Sequence, residues 1–300
     1  MSRHSKSRVL RWLQGEEGVP WGADPADFDP VAVEGTLRTL GELFGEEGWP
    51  RRYFPLDVKG LENIPPAPAM VVSNHSGGTT IPDVWGFIVA WYRRFGTARP
   101  IHPLAHEMIL STRLTGPYFA ARGILRAQRQ LALRALTEFG HDVMVMPGGD
   151  LETWRPFRKR YQLEFGGRTG YANLAIEAGV PVVPVAHAGA HNTFMVLSDG
   201  RWLARILRMQ HIARANVWPI HLSLPWGLAV GPFPHLPLPA RLRYRIGTPI
   251  VPPPLPADGA PTIGQITALD EQVRGSIQRM LTALELEASS KPREGVLETA

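Results

Sequence analysis

The sequence contains no cysteine, although it is 300 residues long. This absence excludes disulfide bonds, thiolate nucleophiles and cysteine-based zinc or iron–sulfur centres. Long hydrophobic runs are also missing, because the longest, residues 84–92, covers less than half of the roughly 20 residues needed to cross a bilayer. The N-terminal segment is basic but has no apolar stretch behind it, so we expect no secretory signal.

Acidic residues are missing from residues 201–256, where seven arginines occur. Residues 93–134 hold eight arginines and a single acid, Glu107. Because the whole chain carries only +5, the remainder of it is acidic. Basic segments of this kind suit a lipid surface, a phosphate-bearing cosubstrate or nucleic acid, and they are also compatible with a solvated arginine-rich surface. No sequence pattern of a nucleic-acid-binding motif is present, so we expect no nucleic acid partner.

The hydrophobic pattern alternates between strands and helices over residues 56–190, which is typical of an α/β domain. We predict an α/β fold with a mixed, mostly parallel sheet flanked by helices, in a single catalytic domain over residues 56–256. Residues 1–55 are predicted to form an N-terminal helical segment, with a helix over residues 29–48. Residues 257–300 are predicted to form an amphipathic C-terminal helix and a tail.

A polar turn, Ser-Asn-His-Ser-Gly-Gly-Thr-Thr-Ile-Pro-Asp, follows an apolar strand. His75 stands at the carboxyl end of that strand, where α/β sheets place ligand-binding residues, and Asp83 opens the next helix. If the glycines let Asp83 fold back, its carboxylate would hold one ring nitrogen of His75 and leave the other as a base. No serine lies in a nucleophile elbow, so the activated hydroxyl would belong to the substrate. The alternative is that Asn74 and His75 cap a turn and Asp83 caps the helix.

A second glycine turn, Met-Pro-Gly-Gly-Asp, follows another apolar strand and repeats this layout. Backbone N–H groups beside a helix start can bind an anion or an oxyanion. Arg126 and Arg129 lie near Gly123 between the two turns. They are candidates for a phosphate or carboxylate clamp, or for an ordinary solvated surface.

These segments together make the chain resemble the glycerolipid and lysophospholipid acyltransferase family. The first turn resembles the family's Asn-His…Asp block, and residues 123–130 resemble its second block. The second glycine turn and the Val-Pro-rich strand at residues 180–185 resemble its third and fourth blocks. The Pro-Gly-Gly form resembles the diacylglycerol-acyltransferase-like branch. The resemblance implies a fold of the glycerol-phosphate-acyltransferase type, an acyl-CoA or acyl-carrier-protein donor, a lipid hydroxyl acceptor and no bound cofactor.

The resemblance also implies roles for individual residues. His75 would be the general base, and Asp83 would orient it. No metal is expected. The implied substrate-binding residues are Asn74, Ser76, Gly77, Gly78, Gly123, Arg126, Arg129, Pro147, Gly148, Gly149, Asp150 and Glu152.

The chain departs from the family pattern at two places. The family usually has four residues between histidine and aspartate, whereas seven separate His75 from Asp83, and Thr80 stands at the usual position of the acid. Leu151 stands where the family often has an arginine that binds a glycerol phosphate. Asp150 and the nearby Glu152 would repel a phosphate. A neutral acceptor, such as a mono- or diacylglycerol or another long-chain alcohol, is therefore favoured.

The basic and aromatic segment at residues 201–245 is predicted to face a membrane. Arginines alternate there with tryptophan, leucine and isoleucine, a pattern typical of an interfacial helix on anionic lipid. We expect a cytoplasmic protein that binds peripherally to the inner face of the cell membrane. The alternative is that the apolar side of this helix, over residues 201–218, packs onto the domain.

Two other classes of protein stay open. One is a non-catalytic lipid-binding protein of the same fold. The other is a metal hydrolase, because His102 lies four residues before His106, and His187 four residues before His191, which are spacings that can bind zinc. Pro103 disfavours a helix through the first pair.

Overall fold

The computed structural model describes residues 21–210, 215–256 and 259–290. Eight strands form one sheet and three form a smaller one. The strands in these ranges are β1 (Phe44–Gly45), β2 (Phe54–Lys59), β3 (Met70–Ser73), β4 (Ile101–Ala105), β5 (Leu125–Arg126), β6 (Asp142–Val145), β7 (Val182–Ala188), β8 (Met195–Ser198), β9 (Ile220–Ser223), β10 (Gly227–Val230) and β11 (Leu242–Ile246).

The large sheet has the strand order β1-β2-β11-β7-β3-β6-β4-β5. Its neighbouring strands are parallel except for β7 and β11, which are antiparallel. The small sheet, β10-β9-β8, is antiparallel. The helices in the described ranges are α1 (Pro30–Thr39), α2 (Pro82–Phe95), α3 (Glu107–Leu110), α4 (Gly116–Ala120), α5 (Arg129–Thr137), α6 (Asp150–Thr153), α7 (Gly170–Ala178), α8 (Arg201–Ile206) and α9 (Ile263–Ser290).

Both faces of the large sheet are buried, as the uninterrupted apolar character of its central strands requires. On β3, Met70 and Val72 point into a core formed with α5, α7 and α9. Val71, on the same strand, points to the opposite face, into a core formed with α1 and α2. Side chains alternate along a strand, so one short apolar strand serves both cores.

The sheet topology brings three strand ends together. β3 pairs in parallel with β6 on one side and with β7 on the other, so their carboxyl ends lie at the same edge. His75 follows β3, and the second glycine turn follows β6. This edge is where open α/β sheets place their functional groups.

The predicted fold class, a mixed and mostly parallel sheet flanked by helices, is confirmed. The helix predicted over residues 29–48 is wrong at its end, because α1 stops at Thr39, a 3-10 helix follows over Leu40–Leu43, and the chain then enters β1. Phe44 stacks there on Phe54 with the ring centroids 5.0 Å apart, and this packing outweighs the helical spacing of the sequence.

Segments outside residues 56–256 complete the same cores. Val33 of α1 is buried with α2, and Val273 of α9 is buried with α5 and α7. The tail is predicted to begin at Ser289, whereas α9 continues to Ser290, and residues 291–300 lie outside the described residues. No helix in the described ranges is both long and apolar enough to cross a membrane.

An ion pair connects the chain at the start of β6 with the segments that lead into β3 and β4. Asp142 opens β6 with a fully buried carboxylate, which accepts hydrogen bonds from the Arg99 guanidinium at 2.7 and 3.0 Å. The same carboxylate accepts the backbone N–H of Ala69, just before β3, at 2.9 Å. Arg99 also donates to the carbonyl oxygen of Pro65.

Replacing Arg99 by alanine should destabilise the fold by about 3 kcal/mol or more, because the Asp142 carboxylate would be left buried without its partner. Urea denaturation measures the free energy of unfolding. Arg38→Ala is the matched control, since Arg38 is exposed on α1 and its loss should change stability by less than about 0.5 kcal/mol. Equal effects of the two substitutions would contradict the role given to this ion pair.

Candidate active site

His75 and Asp83 are in direct contact at the end of β3. Nδ1 of His75 lies 2.6 Å from Oδ2 of Asp83. The Asp83 side chain is fully buried, whereas 15% of the His75 side chain is exposed. Because the carboxylate can only accept a hydrogen bond, Nδ1 carries the proton and Nε2 is the basic nitrogen. The seven-residue spacing therefore does bring the two side chains together.

The loop between them relies on unusual backbone conformations. Gly77 and Gly78 both have positive φ, +99° and +63°, which glycine adopts without steric cost. A Cβ on Gly78 would stand 2.4 Å from Cε1 of His235, so a larger residue cannot fit. Ile81 is also left-handed, with φ 43° and ψ 48°, just before α2 begins. For a β-branched residue this conformation is strained, and strain of this kind concentrates at functional sites.

Backbone groups and burial fix the position of Asp83. Its Oδ2 also accepts the N–H of Ser76 at 2.9 Å, and its carbonyl oxygen accepts the hydroxyl of Tyr244 at 2.7 Å. Oδ1 is buried and has no hydrogen-bond partner among the described residues. Helix α2 starts at Pro82, so the carboxylate also lies in the first turn of a helix, where a negative charge is stabilised.

The contact shifts both pKa values in the directions expected of an ion pair. Burial lowers the pKa of His75, but the charge and hydrogen bond of Asp83 outweigh burial and raise it above the ordinary value. Burial likewise raises the pKa of Asp83, and the charge and hydrogen bond of His75 outweigh it and lower that pKa. Asp83 is therefore ionised near neutral pH, and it stabilises the imidazolium form of His75.

A second histidine, His187 at the end of β7, lies behind this pair. Its Nδ1 is 3.2 Å from the carbonyl oxygen of Asn74, so Nδ1 carries the proton. Its Nε2 then accepts the hydroxyl of Ser76, whose Oγ is 2.6 Å away. Burial lowers the pKa of His187 to about 4, so this histidine is neutral although Asp83 is only 3.7 Å from its Nε2. The sequence spacing indicates His187 only as a metal ligand and does not predict this contact.

Asn74 joins the ends of β3 and β7. Its side-chain amide donates to the carbonyl oxygen of His187 at 2.9 Å and accepts the N–H of the same residue at 2.8 Å. Asn74 and Ser76 are both completely or almost completely buried. These two residues are predicted from the sequence to bind substrate. Their side chains instead form hydrogen bonds within the protein, and these bonds hold the loop between His75 and Asp83 in place.

Glu152, in α6 just after the second glycine turn, also holds the backbone at His75 in place. Its buried carboxylate accepts the backbone N–H of His75 at 3.1 Å and that of Glu164 at 3.0 Å. Arg155, also buried, donates to it at 2.9 Å. Burial raises the pKa of Glu152, and the charge of Arg155 opposes that rise. A Cβ on Gly148 would lie within 2.5 Å of the Glu152 side chain, so glycine allows this close approach.

The remainder of the second turn is held by Arg168, which no sequence pattern indicates. Its guanidinium donates to the carbonyl oxygens of Pro147 at 3.0 Å and Gly148 at 2.8 Å, and to the carboxylate of Asp150 at 2.9 Å. Gly149 has φ +49°, and a Cβ at this position would lie 2.9 Å from the Arg168 guanidinium. The second glycine turn therefore directs two carbonyl oxygens and one carboxylate towards the guanidinium of Arg168.

The basic block near Gly123 does not form the predicted clamp. Arg126 is buried, and its guanidinium donates to Glu107 at 2.8 Å and to backbone carbonyl oxygens of residues 21 and 110. The Arg129 side chain is half exposed and bonds Glu177. The carbonyl oxygen of Gly123 accepts a hydrogen bond from Nδ1 of His102. The donors of Arg126 are thus used within the fold, because a buried guanidinium requires partners.

Two of the histidines whose spacings suggest a metal site are hydrogen-bonded within the protein. His102 lies on strand β4, and its Nε2 is 2.9 Å from Nδ1 of His141. Both ring nitrogens of His187 bond the loop that follows β3. In the part of the chain that the structure describes, no group of three or more histidine, aspartate or glutamate side chains is arranged to hold a metal ion.

The segment that carries this site is similar to a known family of proteins. Residues 55–188 match the family model described as Acyltransferase. The matched range is less than half of the chain, and within it the chain is similar to that family. The matched range contains both glycine turns, the His75–Asp83 pair and His187.

Relatives of known sequence extend the similarity. An uncharacterized protein of Mycobacterium tuberculosis is 28% identical over 266 residues, covering 88% of this chain and 70% of that protein. The DGAT1/2-independent enzyme synthesizing storage lipids of Mus musculus is 26% identical over 193 residues, 63% of this chain and 56% of the enzyme. The 1-acyl-sn-glycerol-3-phosphate acyltransferase of Pseudomonas aeruginosa is 29% identical over 143 residues, 44% of this chain and 48% of that enzyme.

Among solved structures, the 1-acyl-sn-glycerophosphate acyltransferase PlsC of Thermotoga maritima matches with a TM-score of 0.46 and 17% identity. The match covers 78% of this chain and 73% of that chain.

The two site histidines should titrate differently. In ¹⁵N-histidine NMR spectra, we expect His75 to titrate above the ordinary value of about 6.5. His187 should keep its neutral Nδ1–H form down to about pH 4. Single His75→Gln and His187→Gln variants assign the two signals. Titration of His187 near pH 6.5 would contradict the hydrogen-bond assignment given above.

Proposed function

We propose that this protein is an enzyme that transfers a fatty acyl group from a thioester, acyl-CoA or acyl carrier protein, to the hydroxyl group of a lipid. The observation that supports this most is the 2.6 Å contact between His75 and Asp83 at the carboxyl end of β3. A partly exposed imidazole on a buried carboxylate is suited to remove a proton from a bound hydroxyl.

The proposed reaction needs no nucleophile from the protein. Nε2 of His75 takes the proton of the acceptor hydroxyl while its oxygen attacks the thioester carbonyl carbon. The tetrahedral intermediate then collapses, the carbon–sulfur bond breaks, and the imidazolium returns the proton to the leaving thiolate. Asp83 holds the Nδ1–H tautomer and stabilises the imidazolium in both steps. Ester and free thiol are the products, so atoms and charge balance.

We infer that the acceptor is electrically neutral. Arg168 is the cation on the second turn, and Pro147, Gly148 and Asp150 already engage its guanidinium. The carboxylate of Asp150 would repel a phosphate there, whereas Glu152 is buried against Arg155. One relative is named for storage-lipid synthesis and another for acylation of 1-acyl-sn-glycerol-3-phosphate. The charges at this turn favour the first kind of substrate, for example a diacylglycerol or a long-chain alcohol.

Substituting His75 by alanine should abolish release of free thiol from acyl-CoA in the presence of a lipid alcohol, with a loss of about 1,000-fold or more. A colorimetric thiol assay measures this rate. Circular dichroism should show an unchanged fold, because the His75 side chain is partly exposed. Native rates in the alanine variant would overturn the assignment of the base. No thiol release by the native protein with any donor would instead favour the non-catalytic lipid-binding alternative.

Asp83→Asn should lower the rate by about 100-fold or more, because the amide no longer stabilises imidazolium. The raised pKa of His75 places the acidic limb of the pH–rate profile above pH 6.5 in the native enzyme. Without the carboxylate that pKa falls, so the limb should move to lower pH. Glu34→Gln on the exposed side of α1 is the control and should change neither. A fully active Asp83→Asn variant would show that Asp83 is not the carboxylate that orients His75.

A panel of acceptors tests the inferred charge preference. We expect kcat/KM for diacylglycerol or a long-chain alcohol to exceed that for lysophosphatidate by at least about tenfold. Arg168→Gln should change kcat/KM for the neutral acceptors and for lysophosphatidate by the same factor. A preference for lysophosphatidate that is lost in Arg168→Gln would show that Arg168 binds a phosphate, which contradicts the inference.

A further inference from the structure

The small sheet exposes a row of apolar side chains to solvent. Met195, Leu222 and Leu228 lie in register across β8, β9 and β10, and 42–63% of each residue is exposed. In the adjacent row the buried residues include a histidine, His221. Val196 and Ala229 flank His221 in that buried row, so both sides of the small sheet carry apolar residues, whereas the usual alternation leaves the solvent side polar.

The apolar surface continues beyond that row. We define the apolar sheet face by the outward side chains of the three strands and their hairpin: Met195, Leu197, Leu222, Leu224, Trp226, Leu228 and Val230. Each of them is at least 42% exposed. Of the 22 exposed large hydrophobic residues in the described ranges, 13 lie within residues 195–238. An apolar surface concentrated in this way marks an interaction site.

The reverse side of the small sheet packs beside the candidate active site. Phe194 packs against His235 with the ring centroids 4.2 Å apart, and the centroids of the Trp154 and His221 rings are 5.3 Å apart. His235 in turn contacts the His75–Asp83 loop, since its Nδ1 is 3.5 Å from Oγ1 of Thr79. The apolar sheet face is therefore separated from the catalytic loop by one layer of aromatic side chains.

The charges on α8, which begins three residues after β8 ends, favour one kind of partner for this face. Residues 201–256 contain no acid. Arg205 and Arg208 are exposed on and just after α8, next to Trp202 and Ile206, which are 55% and 69% exposed. Apolar and aromatic side chains bordered by arginines suit anionic lipid headgroups over an acyl layer. A second copy of the chain fits less well, because pairing two such faces brings arginines of like charge together.

We propose that the apolar sheet face, with the arginines of α8, is the surface by which this protein docks on an anionic bilayer. This surface differs from the single interfacial helix that the sequence predicts, because α8 ends at Ile206 and the three-stranded sheet supplies most of the exposed apolar area. Residues 211–214 of that predicted helix lie outside the described residues. The inference goes beyond the proposed reaction, and its test requires no acyl donor.

Co-sedimentation with vesicles tests the surface. The full chain is mixed with phosphatidylcholine vesicles that contain or lack about one third phosphatidylglycerol, and the Kd for lipid is measured. Leu228→Asp should raise this Kd at least about tenfold, because the variant places a charge where leucine would enter the acyl layer. Ile263→Asp, at an 85% exposed position that opens α9, is the matched control and should bind like the native chain.

Two further measurements keep the result interpretable. In the native chain, brominated lipid should quench tryptophan emission, and Trp226→Phe should reduce that quenching, which reports contact of this residue with lipid. Arg205→Gln combined with Arg208→Gln should remove the preference for vesicles that contain phosphatidylglycerol. His75→Ala should bind vesicles like the native chain, so docking and the proposed catalysis can succeed or fail separately.

Native binding by Leu228→Asp, an equal loss in Ile263→Asp, or no vesicle binding by the native chain would each overturn the proposal. So would light scattering that shows a native dimer which Leu228→Asp converts to a monomer, because the face would then join two copies of the chain.

Discussion

The hydrogen bond between Nδ1 of His75 and Oδ2 of Asp83 is the interaction around which the site is arranged. It places a carboxylate where water cannot reach it, and the donors to Oδ2 offset part of the lost hydration. The N–H of Ser76 supplies one, and the first turn of α2 adds its dipole. The same contact leaves Nε2 of His75 as the basic atom, so the electrostatics of burial and the proposed chemistry have one origin.

The rest of the edge keeps this pair in register. Asn74 ties β3 to β7, and Glu152 carries the second turn to the backbone of His75. Arg168 and the buried Arg155 hold the turn from the other side. Most residues whose type resembles a substrate-binding motif are therefore used as supports, which is the arrangement that a precisely oriented base requires.

The sequence predicts the fold class well because its apolar strands and amphipathic helices have distinct periods, and both faces of β3 are read from one apolar run. It also identifies His75 and Asp83 from their positions after a strand and before a helix. It does not identify the contacts of His187 or Arg168, which meet the site across 20 or more residues of chain. The sequence offers Arg126 as an anion clamp or as a solvated surface residue, whereas its guanidinium is buried against Glu107, because sequence alone does not show the burial of an arginine.

The role of His75 as the base is tested most directly by measuring one quantity in two ways on the same preparation. The pKa of His75 from ¹⁵N NMR is compared with the pKa of the acidic limb of kcat/KM in the thiol-release assay. The two values should coincide above 6.5 and fall together in Asp83→Asn. A rate that follows a different pKa, while His75 titrates elsewhere, would contradict this role.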